Sequence, residues 1–152
     1  MMIYLMRHGE AEQQAMSDAA RVLTHQGGVD NRAVVAKLMQ HGPMIDVGLT
    51  SPYQRARQTS SALRLKFPQL RMEVSQDLEP EASPYDLLDK IEQMDAMQVF
   101  LISHNPIISN LLAILVDGTL ETDRYMGTSH IACVSMDIVA PGCAELLYTL
   151  TP

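Results

Sequence analysis

Two short apolar runs, far apart in the chain, each close on a histidine. Met2 to Met6 reads Met-Ile-Tyr-Leu-Met and is cut off by Arg7-His8-Gly9. Val99-Phe100-Leu101-Ile102 is cut off by Ser103-His104-Asn105-Pro106. Short continuous apolar runs bounded by charged and turn residues read as strands buried on both faces, the kind found in helix-covered parallel sheets. In open α/β sheets, ligands bind outside the carboxyl ends of the strands. The two runs therefore predict that His8 and His104, 96 residues apart in sequence, meet where such a fold does its chemistry.

A third segment, Ser51-Pro52-Tyr53-Gln54-Arg55-Ala56-Arg57-Gln58-Thr59, lies between them and reads as the start of a helix. Ser51 is the expected N-cap, Pro52 the first helical residue, and Gln54 completes a capping-box pattern. Two arginines and two histidines converging on one spot make a cationic pocket for a phosphoryl group, with an imidazole able to attack it. His8 is the expected nucleophile. Its second ring nitrogen must be held as a donor, for instance by a backbone carbonyl, so that the attacking lone pair is free. Arg7 and Arg55 are expected to grip phosphate oxygens with their planar forks, and His104 to bind the same group. The helix opening at Asn105-Pro106 would turn its positive end towards the anion. Arg21 and Ser129, the latter in the Thr128-Ser129 pair, are further candidates to touch substrate. Arg57, Arg64 and Arg71 read as surface residues, and His25, His41 and His130 as structural ones.

The remaining chain alternates strands and helices. Glu10 to Arg21 is a polar, alanine-rich loop over the mouth of the site. Val29 to Gln40 reads as a helix stopped by His41-Gly42-Pro43, and Asp46 to Thr50 as a second strand. The Ser51 helix runs to about Lys66. Leu70, Met72 and Val74 alternate as in a half-buried strand. Ser83-Pro84 opens a helix over about Tyr85 to Met94. Asn105 is the expected cap of a helix apolar on nearly every side, and Ile131 to Ile138 and Glu145 to Leu150 form a terminal hairpin around Pro141-Gly142. One domain over residues 1–152 follows from the length. The order of elements gives a three-layer α/β/α sandwich with a mainly parallel central sheet.

Composition narrows the function. The net charge of −7 argues against non-specific nucleic-acid binding. Cys133 and Cys143 read as reduced and structural, and neither begins a Cys-x5-Arg loop, which argues against a cysteine phosphatase. No close-set pattern of metal ligands, P-loop or dinucleotide fingerprint is present, so no metal or cofactor is expected. The apolar start breaks at Arg7, and no run reaches the length of a membrane span, which points to the cytoplasm.

Arg7-His8-Gly9, Ser51-Pro52 with Arg55-Ala56 and Thr59, and Ser103-His104 together resemble the signature of the histidine phosphatase superfamily, whose fold is that of phosphoglycerate mutase. The short length resembles the small SixA-type phosphohistidine phosphatases, nearly end to end. The resemblance implies removal of phosphate from a phosphorylated histidine on a signalling partner, such as a histidine phosphotransfer domain, through a phospho-His8 intermediate. It leaves two alternatives open: a phosphatase or mutase for small phosphate esters, and a phosphate-binding module without turnover. Larger members use an acidic residue in a Leu-x-Glu context to protonate an alcohol leaving group. The corresponding stretch here is Asp77-Leu78-Glu79-Pro80-Glu81, with Pro80 at that place and Glu79 and Glu81 as poor substitutes. The chain also has no room for the helical insertion that covers the site in phosphoglycerate mutases.

Overall fold

In the computed structural model, which describes residues Met1–Pro152, the first apolar run is strand β1 (Met2–Arg7) and the late one is β4 (Gln98–Ser103). They lie side by side and parallel. The other strands are β2 (Val47–Thr50), β3 (Arg71–Val74), β5 (Ile131–Ser135) and β6 (Glu145–Leu150). Together they make a six-stranded sheet in the order β3-β2-β4-β1-β5-β6. The first four run parallel, and β5 is antiparallel to both β1 and β6. Helices α1 (His25–Met39), α2 (Gln54–Lys66), α3 (Pro84–Glu92) and α4 (Ile107–Asp117) cover the two faces.

Burial on both faces explains the unbroken apolar runs. Ile3, Leu5, Val99 and Leu101 point into the core under α3 and α4. Tyr4, Met6, Phe100 and Ile102 point into the opposite core under α1 and α2. Helix α4 is buried at seven of its eleven residues, as its uniformly apolar sequence requires. The expected three-layer sandwich is the observed one, and so is the terminal hairpin.

Helix starts depart from local sequence rules. Helix α1 begins at His25, four residues before the expected Val29, and Thr24 caps it by accepting from the Gly27 amide at 2.9 Å. Gly27 lies inside the helix, where only glycine fits because a Cβ would run into the backbone of Glu10. Ser51 does not cap α2, which starts at Gln54. The Ser51 hydroxyl is fully buried and bonds His104 Nε2 at 2.7 Å, so a long-range partner displaces the local cap. Asn105 likewise does not cap α4. Its amide donates to the Met126 carbonyl at 3.0 Å and accepts from the Ser109 hydroxyl at 2.7 Å. Strand β3 is the sheet's outer edge, so Val74 is exposed rather than half-buried, and β5 ends at Ser135, three residues short of Ile138.

Candidate active site

Three adjacent parallel strands end at one level. The register pairs Arg7 with Ser103 and Thr50 with Ile102. The next residues, His8, His104 and Ser51, therefore emerge together. The ladder continues past the strands: His8 N–H donates to the Ser103 carbonyl at 2.9 Å, and Ser51 N–H to the Ile102 carbonyl at 3.0 Å. The His8 and His104 rings lie 4.8 Å apart, centroid to centroid, tilted by 57°. The sheet's register, not the loops, sets that pair.

His8 is buried and its two nitrogens are differentiated. Nδ1–H donates to the Gly9 carbonyl at 2.6 Å, and Nε2 accepts from Arg55 Nε at 3.1 Å. The lone pair therefore sits on Nε2, beside the guanidinium. Burial pulls the His8 pKa down to about 4, helped by the charges of Arg55, Arg7 and Arg21 and opposed by the Gly9 carbonyl. At neutral pH the ring is uncharged. Burial pulls His104 down to about 2, and His8 and Arg55 add to the shift. The Ser51 oxygen accepts from the Tyr53 amide at 3.3 Å. With the Ser51 hydroxyl donating to His104 Nε2, the His104 proton lies on Nδ1. That Nδ1 has no partner within the protein.

Arg55 lies in the first turn of α2 and is 4 % exposed. Besides His8, it donates to the Asp18 carbonyl oxygen at 2.6 Å and the Asp18 carboxylate at 2.9 Å. Its guanidinium rests 5.0 Å above the Tyr53 ring. Arg7 donates to the Met126 carbonyl at 2.9 Å and to the Tyr125 hydroxyl at 3.3 Å, while its buried Nε is unpartnered. Arg21 donates to the other Asp18 oxygen at 3.0 Å and to the Glu12 carbonyl at 2.6 Å. The two guanidiniums hold the Asp18 carboxyl below its usual range, against a burial effect that alone would raise it.

Arg7, His8, Arg21, Arg55 and His104 thus line one pocket of about 340 Å³, together with Glu10, Gln13, Asp18, Pro80 and Thr128. Three guanidiniums against two carboxylates make it net positive, in a chain of net charge −7. Pro80 is carried to the wall because Ser103 Oγ anchors the preceding Leu78 carbonyl at 2.7 Å. Glu79 and Glu81 do not reach the lining.

Ser129 is the one proposed substrate contact that the structure turns away. It is fully buried, with φ of 61°, and its hydroxyl donates to Asn31 Oδ1 at 2.9 Å. The pocket meets its neighbour Thr128 instead. The reason is a buried network behind His8. Thr59 Oγ1 accepts from the Gly9 amide at 3.1 Å and from Asn31 Nδ2 at 3.2 Å, and donates to the Arg55 carbonyl at 2.8 Å. Ser129 N–H closes it by donating to the His8 carbonyl at 3.1 Å. Sequence reasoning missed Asn31 and Asp18. Asn31 sits on a helix face with no motif around it, and Asp18 in a polar loop whose path no local rule fixes.

Residues 3–80 match the profile of the histidine phosphatase superfamily, branch 1. The phosphohistidine phosphatase SixA of Escherichia coli is 33% identical over 144 residues, 90% of this chain and 86% of that protein. The phosphohistidine phosphatase SixA homolog of Haemophilus influenzae is 30% identical over 139 residues, 84% and 85% of the two chains. A solved structure of the protein histidine phosphatase SixA complexed with tungstate superposes with a TM-score of 0.87 at 30% identity, covering 100% of this chain and 97% of that one. The strand-end histidines, the sheet order and these matches agree: the chain belongs to the histidine phosphatase superfamily.

Proposed function

We propose that this chain is a phosphohistidine phosphatase acting on a protein that displays the phosphorylated imidazole, with His8 as nucleophile. The observation that carries the proposal is the His8 ring itself, neutral, pinned through Nδ1–H to Gly9, with its Nε2 lone pair turned into a cationic pocket. The similarity to SixA supports the same substrate chemistry.

In the first step the Nε2 lone pair forms a bond to phosphorus while the bond from phosphorus to the substrate nitrogen breaks. The departing imidazole keeps that electron pair and takes a proton from solvent. Arg55 Nε–H, Arg7 Nε–H and His104 Nδ1–H then have phosphoryl oxygens as partners, which satisfies the two nitrogens left unpaired in the protein. Charge spread over those oxygens makes such donors worth roughly 10²–10³ each in rate. In the second step water attacks phospho-His8, inorganic phosphate leaves, and the Nε2 lone pair returns. The carboxylates in the pocket are committed elsewhere: Asp18 to Arg55 and Arg21, Glu10 to the Thr24 hydroxyl at 3.0 Å. An imidazole leaving group requires no acid as strong as an alkoxide would, so Pro80 at the wall costs this reaction little. The proposed setting is the cytoplasm, where the free thiols of Cys133 and Cys143 stay reduced.

The test is trapping. Wild-type protein incubated with a ³²P-phosphohistidine peptide should carry a label that is labile in acid and stable in alkali. His8→Ala should lose both label and turnover while still binding tungstate. Full turnover by His8→Ala refutes the nucleophile.

A further inference from the structure

Positive charge is segregated along the chain. Residues 47–72 hold five of the eleven Lys and Arg and no Asp or Glu, whereas the rest of the chain holds six against eighteen. That stretch runs from β2 through α2 to the first two residues of β3, stopping before Glu73. Arg55 serves the pocket, but Arg57, Arg64 and Lys66 stand on the exposed face of α2, and Arg71 is exposed on the neighbouring edge strand. Gln54, Arg57, Gln58, Ser61 and Arg64 follow the spacing of one helix face. They line a mainly polar cavity of about 400 Å³, whose two apolar lining residues are Met72 and Val74. Neither Arg57 nor Arg64 forms an ion pair, while Arg71 pairs with Glu73 at 2.8 Å.

We infer that this face of α2 is the docking surface for an acidic stretch of the phosphohistidine-bearing protein. The inference rests on the proposed function and adds the partner's chemistry to it. The face is continuous with the active site, because the first turn of α2 places Arg55 inward and Gln54 and Arg57 outward. Gln58 joins the two physically: it lines the cavity and accepts from the Leu23 amide at 2.7 Å, holding the end of the mouth loop. Arg64 lies nine residues past Arg55, about 14 Å along the helix. A partner that inserts its phosphohistidine beside Arg55 therefore sets acidic side chains within about two and a half helical turns of it, against Arg57 and Arg64. Unpaired arginines at an interface rim steer association, and the surrounding net-negative surface turns an acidic partner towards this one face.

The experiment uses peptides phosphorylated on one central histidine, identical except that four flanking positions are Glu, Gln or Lys, with N-acetyl phosphohistidine as the small reference. For the wild type, kcat/KM should rise from Lys to Gln to Glu, and the preference for Glu should shrink between 0.05 and 0.3 M salt, as screening predicts. The double variant Arg57→Glu/Arg64→Glu should lose roughly ten-fold or more on the Glu peptide and invert the order, with N-acetyl phosphohistidine turned over at the wild-type rate. Equal rates on all three peptides, or an order unchanged by the double variant, overturn the docking surface and leave the phosphatase intact. Loss of N-acetyl phosphohistidine turnover in the double variant also counts against it, and Arg57→Gln/Arg64→Gln checks that result with a milder change. No turnover of any phosphohistidine by the wild type overturns the proposed function first. Oligonucleotide binding that the double variant abolishes would assign the face to nucleic acid instead.

Discussion

Asn31 touches nothing in the pocket, yet two of its bonds hold the wall behind the nucleophile. It donates to Thr59, which fixes the Gly9 amide, and accepts from Ser129, whose own amide grips the His8 carbonyl. A Cβ on Gly9 would lie 2.7 Å from Asn31 Nδ2, so the turn and the amide fit without slack. Asn31→Ala leaves two buried hydroxyls short of a partner, at a cost of about 1–3 kcal/mol. Denaturant unfolding should show that loss. In steady-state assays, kcat should fall more than KM changes, since Gly9 sets the orientation of His8 and not the grip on phosphate. The histidines themselves make a prediction about pH. Burial keeps His8 neutral down to about pH 4 and His104 to about pH 2, whereas an unfolded histidine takes its proton near pH 6.5. Between those values the unfolded chain binds more protons than the native one. Stability therefore falls as pH drops from about 6.5 towards 4. NMR titration should find both rings unprotonated at pH 5.5, and the Tm of the wild type should decline over that window more than that of His8→Asn/His104→Asn. A His8 midpoint near 6.5 would contradict the electrostatics described here.

Elements differ in how openly their sequence announces them. Strands β1 and β4 and helix α4 were legible because burial on every side demands unbroken apolar residues, and no other local pattern competes. The body of α2 was legible too. Its start was not, because Ser51 has a second use that only the sheet register creates, as the partner of His104. Asn105 was misread for the same reason: its amide bridges to Met126 across 21 residues of sequence. Capping rules describe what a side chain does when nothing distant claims it. Gly27 shows the converse, a residue that reads as a breaker but is placed by close approach. The amino end of α1 packs so tightly on the chain after β1 that a Cβ at Gly27 would strike Glu10, and one at Gly9 would meet the Gly27 carbonyl oxygen at 2.8 Å. Gly27→Ala should raise intrinsic helix propensity yet destabilise the protein by about 1–3 kcal/mol through overpacking. Gly28→Ala, whose nearest neighbour is the Arg32 side chain at 3.6 Å, should be neutral or stabilising. Urea midpoints of the two variants side by side separate propensity from packing.

The sheet order decides which parts of the site a reader of the sequence can find. Residues at the ends of β2, β4 and β1 become neighbours as soon as those strands are parallel and adjacent, so His8, His104 and the Arg55 helix follow from pattern. Asp18 and Asn31 arrive from a loop and a helix face whose positions depend on the finished packing, and no periodicity points to them. The same architecture sets what can enter. Four helices cover the faces of the sheet, and the pocket rim is made of side chains from loops, with Gln13, Pro80 and Thr128 at the wall. The proposed substrate, an imidazole carried on a folded protein, would enter through this mouth, which offers no uncommitted carboxylic acid to a departing alkoxide. Rate should therefore track the leaving group. Aryl phosphates, whose phenolate leaves without protonation, should be hydrolysed measurably; alkyl and sugar phosphates should be slower by several orders of magnitude; phosphohistidine should exceed both. A steep dependence of kcat/KM on leaving-group pKa across a series of substituted phenyl phosphates is the expected readout. A flat dependence would mean that a proton is delivered in the transition state, and Glu10, at the pocket edge beside Thr24, would then be the first residue to substitute.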